Sequence, residues 1–175
     1  MEITSYIISF IATILGLCEP FGKKMKTILI FNFLGNLLVG ISYLLVVKWS
    51  GAAICFVACV QVLINYCFDV KQKKLPIWLV LVYMVLFGSV NIVSFAAWYD
   101  CFSLIAAMIF VLSIAQSNTK YYRLLYISNS MMWIIYDLFA GAYANLFTHV
   151  ALFFGISIAI YMRDLNEKKM HVPKT

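Results

Sequence analysis

Apolar residues run in seven stretches, separated by short clusters of charged, proline, glycine or aromatic residues. The pattern predicts helices at about Ile3–Leu17, Thr27–Val47, Ala52–Phe68, Pro76 to Val93 or Phe95, Cys101–Ala115, Lys120–Phe139 and Tyr143–Met162. Local chemistry supplies the breaks. Pro20, after Cys18 and Glu19, disfavours helix at the residue before it. Lys48-Trp49-Ser50-Gly51 and Ala140-Gly141-Ala142 read as turns. Pro76 suits a first helical turn, where its missing N–H costs nothing. Trp98, Tyr99 and Asp100 read as an interfacial cluster.

Composition makes these helices membrane spans. Of the 175 residues 65% are hydrophobic and 11% charged, against roughly 25% charged in a soluble domain. The expected fold class is therefore an all-α membrane protein with seven transmembrane helices, its lipid partner being the bilayer. A net charge of +6 does not imply nucleic acid here, because basic loops are retained at the cytoplasmic face of membrane proteins. Cys18, Cys55, Cys59, Cys67 and Cys101 form no metal-ligand set and read as packing residues. The first apolar run, opening with Glu2 and followed by no small-x-small site, does not read as a secretory signal.

Charge placement gives an orientation. With the N-terminus outside and the C-terminus in the cytoplasm, Lys48 alone of the 13 basic residues falls outside. Removing or adding one helix destroys that partition.

The halves of the chain also repeat. Ser9-Phe-Ile-Ala12 matches Ser103-Leu-Ile-Ala106, and Lys26 matches Lys120. One residue of slippage later, Phe33-Leu-Gly-Asn36 matches Tyr126-Ile-Ser-Asn129, and Tyr43 matches Tyr136. Two parallel copies of three helices need one further crossing between them. The expected division is thus 1–70 for the first three-helix bundle, 71–97 for a linker with the fourth helix as inversion linker, 98–163 for the second bundle, and 164–175 for a cytoplasmic tail. Small solute transporters of the SWEET kind use this 3+1+3 plan, with their site at the repeat interface.

Trp133-Ile-Ile-Tyr136-Asp137, Gly141-Ala-Tyr143, Thr148-His149 and Ser157 to Arg163 resemble the YgjV family of bacterial inner-membrane proteins. The resemblance covers most of the chain and is most specific over Gln116–Arg163. In the third helix the chain departs from it, with Phe56 and Gln61 where the family implies Asn and Arg. The resemblance implies the bacterial inner membrane and a plan similar to SWEET and nicotinamide-riboside (PnuC-type) transporters, with no defined substrate.

Polar residues within apolar helices are the candidate chemistry, since each needs a partner or a polar cavity. Asn36 and Asn129, equivalent in the repeat, either hydrogen-bond between helices or contact a solute. Trp133, one turn from Asn129, can pack or stack on a sugar, nucleoside or vitamin ring. His149 can bind substrate or relay a proton, with Asn145 and Thr148 as expected partners. Tyr43 and Tyr136, nearer the outside, are interfacial or form an outer gate. Asp137 and Asp100 are expected to be solvated, and Glu19 lies at the cytoplasmic mouth.

The expected substrate-binding set is Asn36, Asn129, Trp133, His149 and Asn145, gated by Tyr43 and Tyr136, with no metal and no cofactor. No nucleophile, zinc or Walker motif appears, so no enzyme is expected. The expected function is transport of a small polar solute by alternating access without ATP hydrolysis, in a possible homo-oligomer. The competing reading is a non-transporting regulatory or scaffold protein with a filled core.

Overall fold

A computed structural model describes residues 2–165. Lys168, Lys169, His171, Lys174 and most of the expected tail lie outside the described residues. Within them the chain forms seven α-helices: α1 (Glu2–Cys18), α2 (Met25–Leu45), α3 (Trp49–Val70), α4 (Ile77–Val93), α5 (Asp100–Ile114), α6 (Thr119–Ala140) and α7 (Tyr143–Ala159). A π-helical turn, Ile160–Leu165, continues α7. Each boundary falls within a few residues of the hydrophobic pattern.

Helix ends follow backbone chemistry. Asn118 caps α6 by accepting the Lys120 amide at 2.9 Å. Asp100 holds the turn into α5, accepting the Ala96 and Ala97 amides at 2.8 Å each. Gly141 ends α6 in the left-handed region at φ 69°, where a glycine meets no Cβ penalty. Val47 ends α2 the same way at φ 60°, with the Lys48 amide on the Tyr43 carbonyl at 2.9 Å. That tight stop lets α3 restart at Trp49, so Ser50 and Gly51 are helical rather than turn residues.

Burial is inverted relative to a water-soluble bundle. On α1 the hydroxyls of Ser5, Ser9 and Thr13 are buried while Ile3, Ile7, Phe10 and Ile14 face outward. On α4 the outward side carries Trp78, Leu81, Val85 and Ile92. Apolar-out, polar-in is what a hydrocarbon solvent selects.

Four helical stretches combine the length and apolarity of a span: Ile3–Phe21, Met25–Leu45, Trp49–Val70 and Tyr143–Arg163. Helices α4 and α5 are apolar but shorter. At 22 residues α6 is long enough but more polar, because its inward side carries Arg123, Asn129, Ser130 and Asp137, all buried.

Neighbouring helices close a ring. Helix α1 packs on α2, α2 on α3, α3 on α5, α5 on α6, α6 on α7, and α7 returns to α1. Helix α4 lies outside, against α3 and α5, where Asn91 hydrogen-bonds Ser103 at 3.2 Å. The α1–α7 seam is polar. Ser9 donates to Asn145 Oδ1 at 2.8 Å, and Thr13 donates to Thr148 Oγ1 at 2.8 Å. Such bonds are worth about 0.6 kcal/mol each in a membrane interior.

Candidate functional site

The ring encloses a small polar cavity of about 40 Å³. It is lined from six helices and by Glu19, which follows α1. Asn32 and Asn36 come from α2, Cys55 from α3, Ala107 and Phe110 from α5, Asn129 and Trp133 from α6, and Thr148 and His149 from α7. Room for one water takes about 10–15 Å³ on this measure, so the space suits a few waters and is too small for a sugar or nucleoside.

Two hydrogen-bonded clusters flank it, one reaching its lining through Trp133 and His149 and the other through Glu19, Asn32 and Tyr126. At the end of the α2–α3 and α6–α7 turns, the Tyr43 hydroxyl donates to Asp137 Oδ1 at 2.5 Å. The other oxygen, Oδ2, faces His149 Nδ1 at 2.6 Å. The His149 ring lies flat on Trp133, centroids 5.4 Å apart and planes 10° apart. Tyr43 and Trp133 rings are 5.9 Å apart, and Gly51 gives Tyr43 its place, since a Cβ there would meet the ring at 3.0 Å. Beside them Ser50 bridges Tyr136 Oη at 3.1 Å and Asp100 Oδ1 at 2.9 Å.

At the lysine-rich end, Glu19 is buried and gathers neutral donors. Asn32 donates to Glu19 Oε1 at 2.7 Å, Tyr122 donates to the same oxygen, and Tyr126 reaches Oε2 at 3.5 Å. Tyr126 also accepts from Asn32 at 3.1 Å and stacks on Tyr122 at 5.1 Å. Below them Arg123 is buried, donating from Nε to the Pro20 carbonyl at 2.8 Å and from Nη2 to that of Gly22 at 3.2 Å.

Of the residues expected from sequence, Asn36, Asn129, Trp133 and His149 all line this one cavity. Asn129 ties its amide nitrogen to the Ala106 carbonyl at 2.7 Å, which leaves its carbonyl oxygen as the end it can offer inward. Asn36 instead turns its amide back to Asn32, 2.9 Å from the carbonyl and 2.8 Å from Oδ1. Asn145 stands outside the lining and serves the α1 seam.

Four expectations need correction. His149 pairs with Asp137 rather than Asn145 or Thr148, because α6 and α7 pack with those two side chains facing. Asp137 is wholly buried, not solvated. Asp100 is buried as a turn cap and bound by Ser50. Tyr43 and Tyr136 are 0% and 1% exposed, inside the bundle, which sets aside the interfacial alternative for them but not the gate.

Sequence reading passed over Asn32, Tyr122 and Tyr126 as site residues. Their signal was available: Asn32 lies one turn before Asn36 on the same face, and Tyr122, Tyr126 and Asn129 continue the face of Trp133 and Tyr136.

No curated protein and no solved structure matches the chain. The family described as Imp-YgjV, bacterial inner membrane protein, matches residues 3–167. The chain belongs to that family. In this Imp-YgjV member the match spans all seven helices, so both clusters and the cavity between them fall within the family's extent.

Proposed function

We propose that the protein is a small solute transporter of the inner membrane, with seven spans in two three-helix halves and α4 as the linker. The halves take residues 1–70 and 98–163, with 71–97 between them. The observation that carries the reading is the polar cavity between the halves, with side-chain bonds joining the halves near each end. Tyr43 to Asp137, Ser50 to Asp100 and Ser50 to Tyr136 link them at one end. Glu19 to Tyr122, Glu19 to Tyr126 and Asn32 to Tyr126 link them at the other.

Packing order supports the two halves: α2 is central between α1 and α3, α6 is central between α5 and α7, and the seam contacts α1–α7 and α3–α5 are equivalent pairs. The arrangement fits an occluded state in alternating access, where one set of links opens while the other holds. Orientation follows from the basic loops, with the Glu19 end cytoplasmic and the Tyr43–Asp137 end outside. The closed cavity holds only a few waters; once one set of links parts and the space widens, Asn129, Trp133 and His149 would offer an acceptor, a stacking face and an imidazole to a small polar solute of the sugar, nucleoside or vitamin class. No ATP is used in this reading.

The scaffold alternative has one observation on its side: the Asn36 and Asn129 amides are already paired to protein groups. A thermal-shift screen of purified protein against sugars, nucleosides and vitamins separates the two readings. A ligand that binds only the folded state raises its stability by RT ln(1 + [L]/Kd). A stabilising solute whose effect and uptake vanish in Asn129→Ala and Trp133→Ala, at undiminished expression, supports transport. Unchanged uptake in both variants sinks the site.

A further inference from the structure

We propose that the His149–Asp137 pair is a proton-binding site whose occupancy sets whether the adjoining mouth of the cavity stays shut. This rests on the transporter reading only for what the proton is coupled to.

The geometry assigns the atoms. Two acceptors 2.6 Å apart need one hydrogen between them, so a carboxylate opposite Nδ1 fixes that hydrogen on Nδ1. Nε2 lies on the opposite side of the ring, the ring lines the cavity, and Nε2 takes no hydrogen bond among the described residues. A proton arriving through the cavity therefore binds at Nε2, while Nδ1–H stays on Asp137 Oδ2. The pair goes from one net negative charge to none.

That change has a mechanical consequence. An uncompensated carboxylate in a membrane interior costs several kcal/mol and favours water around it. Before proton uptake, hydration of Asp137 competes with the Tyr43 bond that links the halves. After uptake the pair is neutral overall, and Tyr43, already 2.5 Å from Oδ1, keeps the mouth closed. Other titratable groups facing the pair are Tyr43 from α2, Cys55 from α3 and Tyr136 from α6, with Asp100 of α5 one bond further through Ser50. From the α1 side come the Ser9 and Thr13 hydroxyls and, at the far end of the cavity, Glu19. Among the described residues the lining holds no lysine or arginine.

Trp133 is a built-in reporter, because a protonated imidazole stacked on an indole quenches its emission. In a Trp49→Phe/Trp78→Phe/Trp98→Phe protein in nanodiscs, scanned between about pH 9 and about pH 5, Trp133 emission is expected to be lower at the acid end and to recover on return. His149→Gln removes the fall. Iodide, a quencher that must enter through water, reaches Trp133 less at the acid end than at the alkaline end. Asp137→Asn abolishes that pH difference. Tyr43→Phe, which leaves the pair intact, keeps the emission change and raises iodide access at every pH. Flat emission in protein of unchanged circular dichroism overturns the proposal. So does iodide access that is indifferent to pH in the parent, or that keeps its pH dependence in Asp137→Asn. No solute enters this test, so an empty thermal-shift screen would count against transport and leave the proton site standing.

Discussion

The hydroxyl of Tyr43 on α2 and the carboxylate of Asp137 on α6 meet at 2.5 Å across the two halves of the chain, with both side chains buried. A hydrogen bond to a charged acceptor is worth about 1.5–3 kcal/mol. Tyr43→Phe keeps the ring against Trp133 and Gly51 but removes that bond. We expect stability to fall by about that amount, read as a lower midpoint in thermal unfolding in detergent. A midpoint equal to the parent's would mean that the bond does not hold the halves.

At the other end, Arg123 clips the α1–α2 turn through the carbonyls of Pro20 and Gly22. Arg123→Ala releases both acceptors. Loss of about 1.5 kcal/mol of local stability raises the open fraction of the turn roughly tenfold. Trypsin cleavage at Lys23 and Lys24 should accelerate in proportion, whereas cleavage at Lys71–Lys74 should keep its parental rate.

Val47 and Gly141 make a reciprocal pair of tests. Both hold left-handed backbone, at φ 60° and 69°, but only one is a glycine. A β-branched residue there costs about 1–2 kcal/mol. Val47→Gly should therefore stabilise the fold, partly offset by glycine's larger unfolded-state entropy, and Gly141→Ala should destabilise it. Urea or thermal midpoints moving in the same direction for both would contradict the assignment.

Asn145 supplies the test that separates seam from site. Its Oδ1 holds Ser9, and its buried Nδ2 has no partner among the described residues. In Asn145→Leu the lost bond, about 0.6 kcal/mol, is offset by relief of an unsatisfied amide. Stability should change by less than about 1 kcal/mol, and any ligand stabilisation found in the parent should persist. Loss of that stabilisation would return Asn145 to the binding set.

How much of this could be seen in the sequence depended on whether a feature is local. Helix extents could, because apolar runs and their breakers act within a few residues. Asn129, Trp133 and His149 were legible as inward-facing, since a polar or amphipathic group in an apolar helix has few other places to go. Partners were not. Asp137 follows Tyr136 at what looks like a helix end, and only the rotation and packing of α6 against α7 and α2 turn it inward onto His149 and Tyr43. Glu19, next to Pro20, reads as a loop residue until Asn32, Tyr122 and Tyr126 converge on it. The stripe Ser5, Ser9, Thr13 has a legible four-residue period. Small hydroxyls satisfy themselves on their own helix as readily as on a neighbour, so the period does not say which helix they meet.

The α1–α7 seam also sets an order on biosynthesis. Ser9 finds Asn145, and Thr13 finds Thr148, across separations of 136 and 135 residues. Helix α1 leaves the ribosome well before α7 and therefore waits in the bilayer until α7 arrives before its hydroxyls meet those partners. A nascent chain halted after α6 has an open ring, with the α1 groove unfilled. Completion of α7 closes the circle, so the cavity comes into being only when α7 is in place.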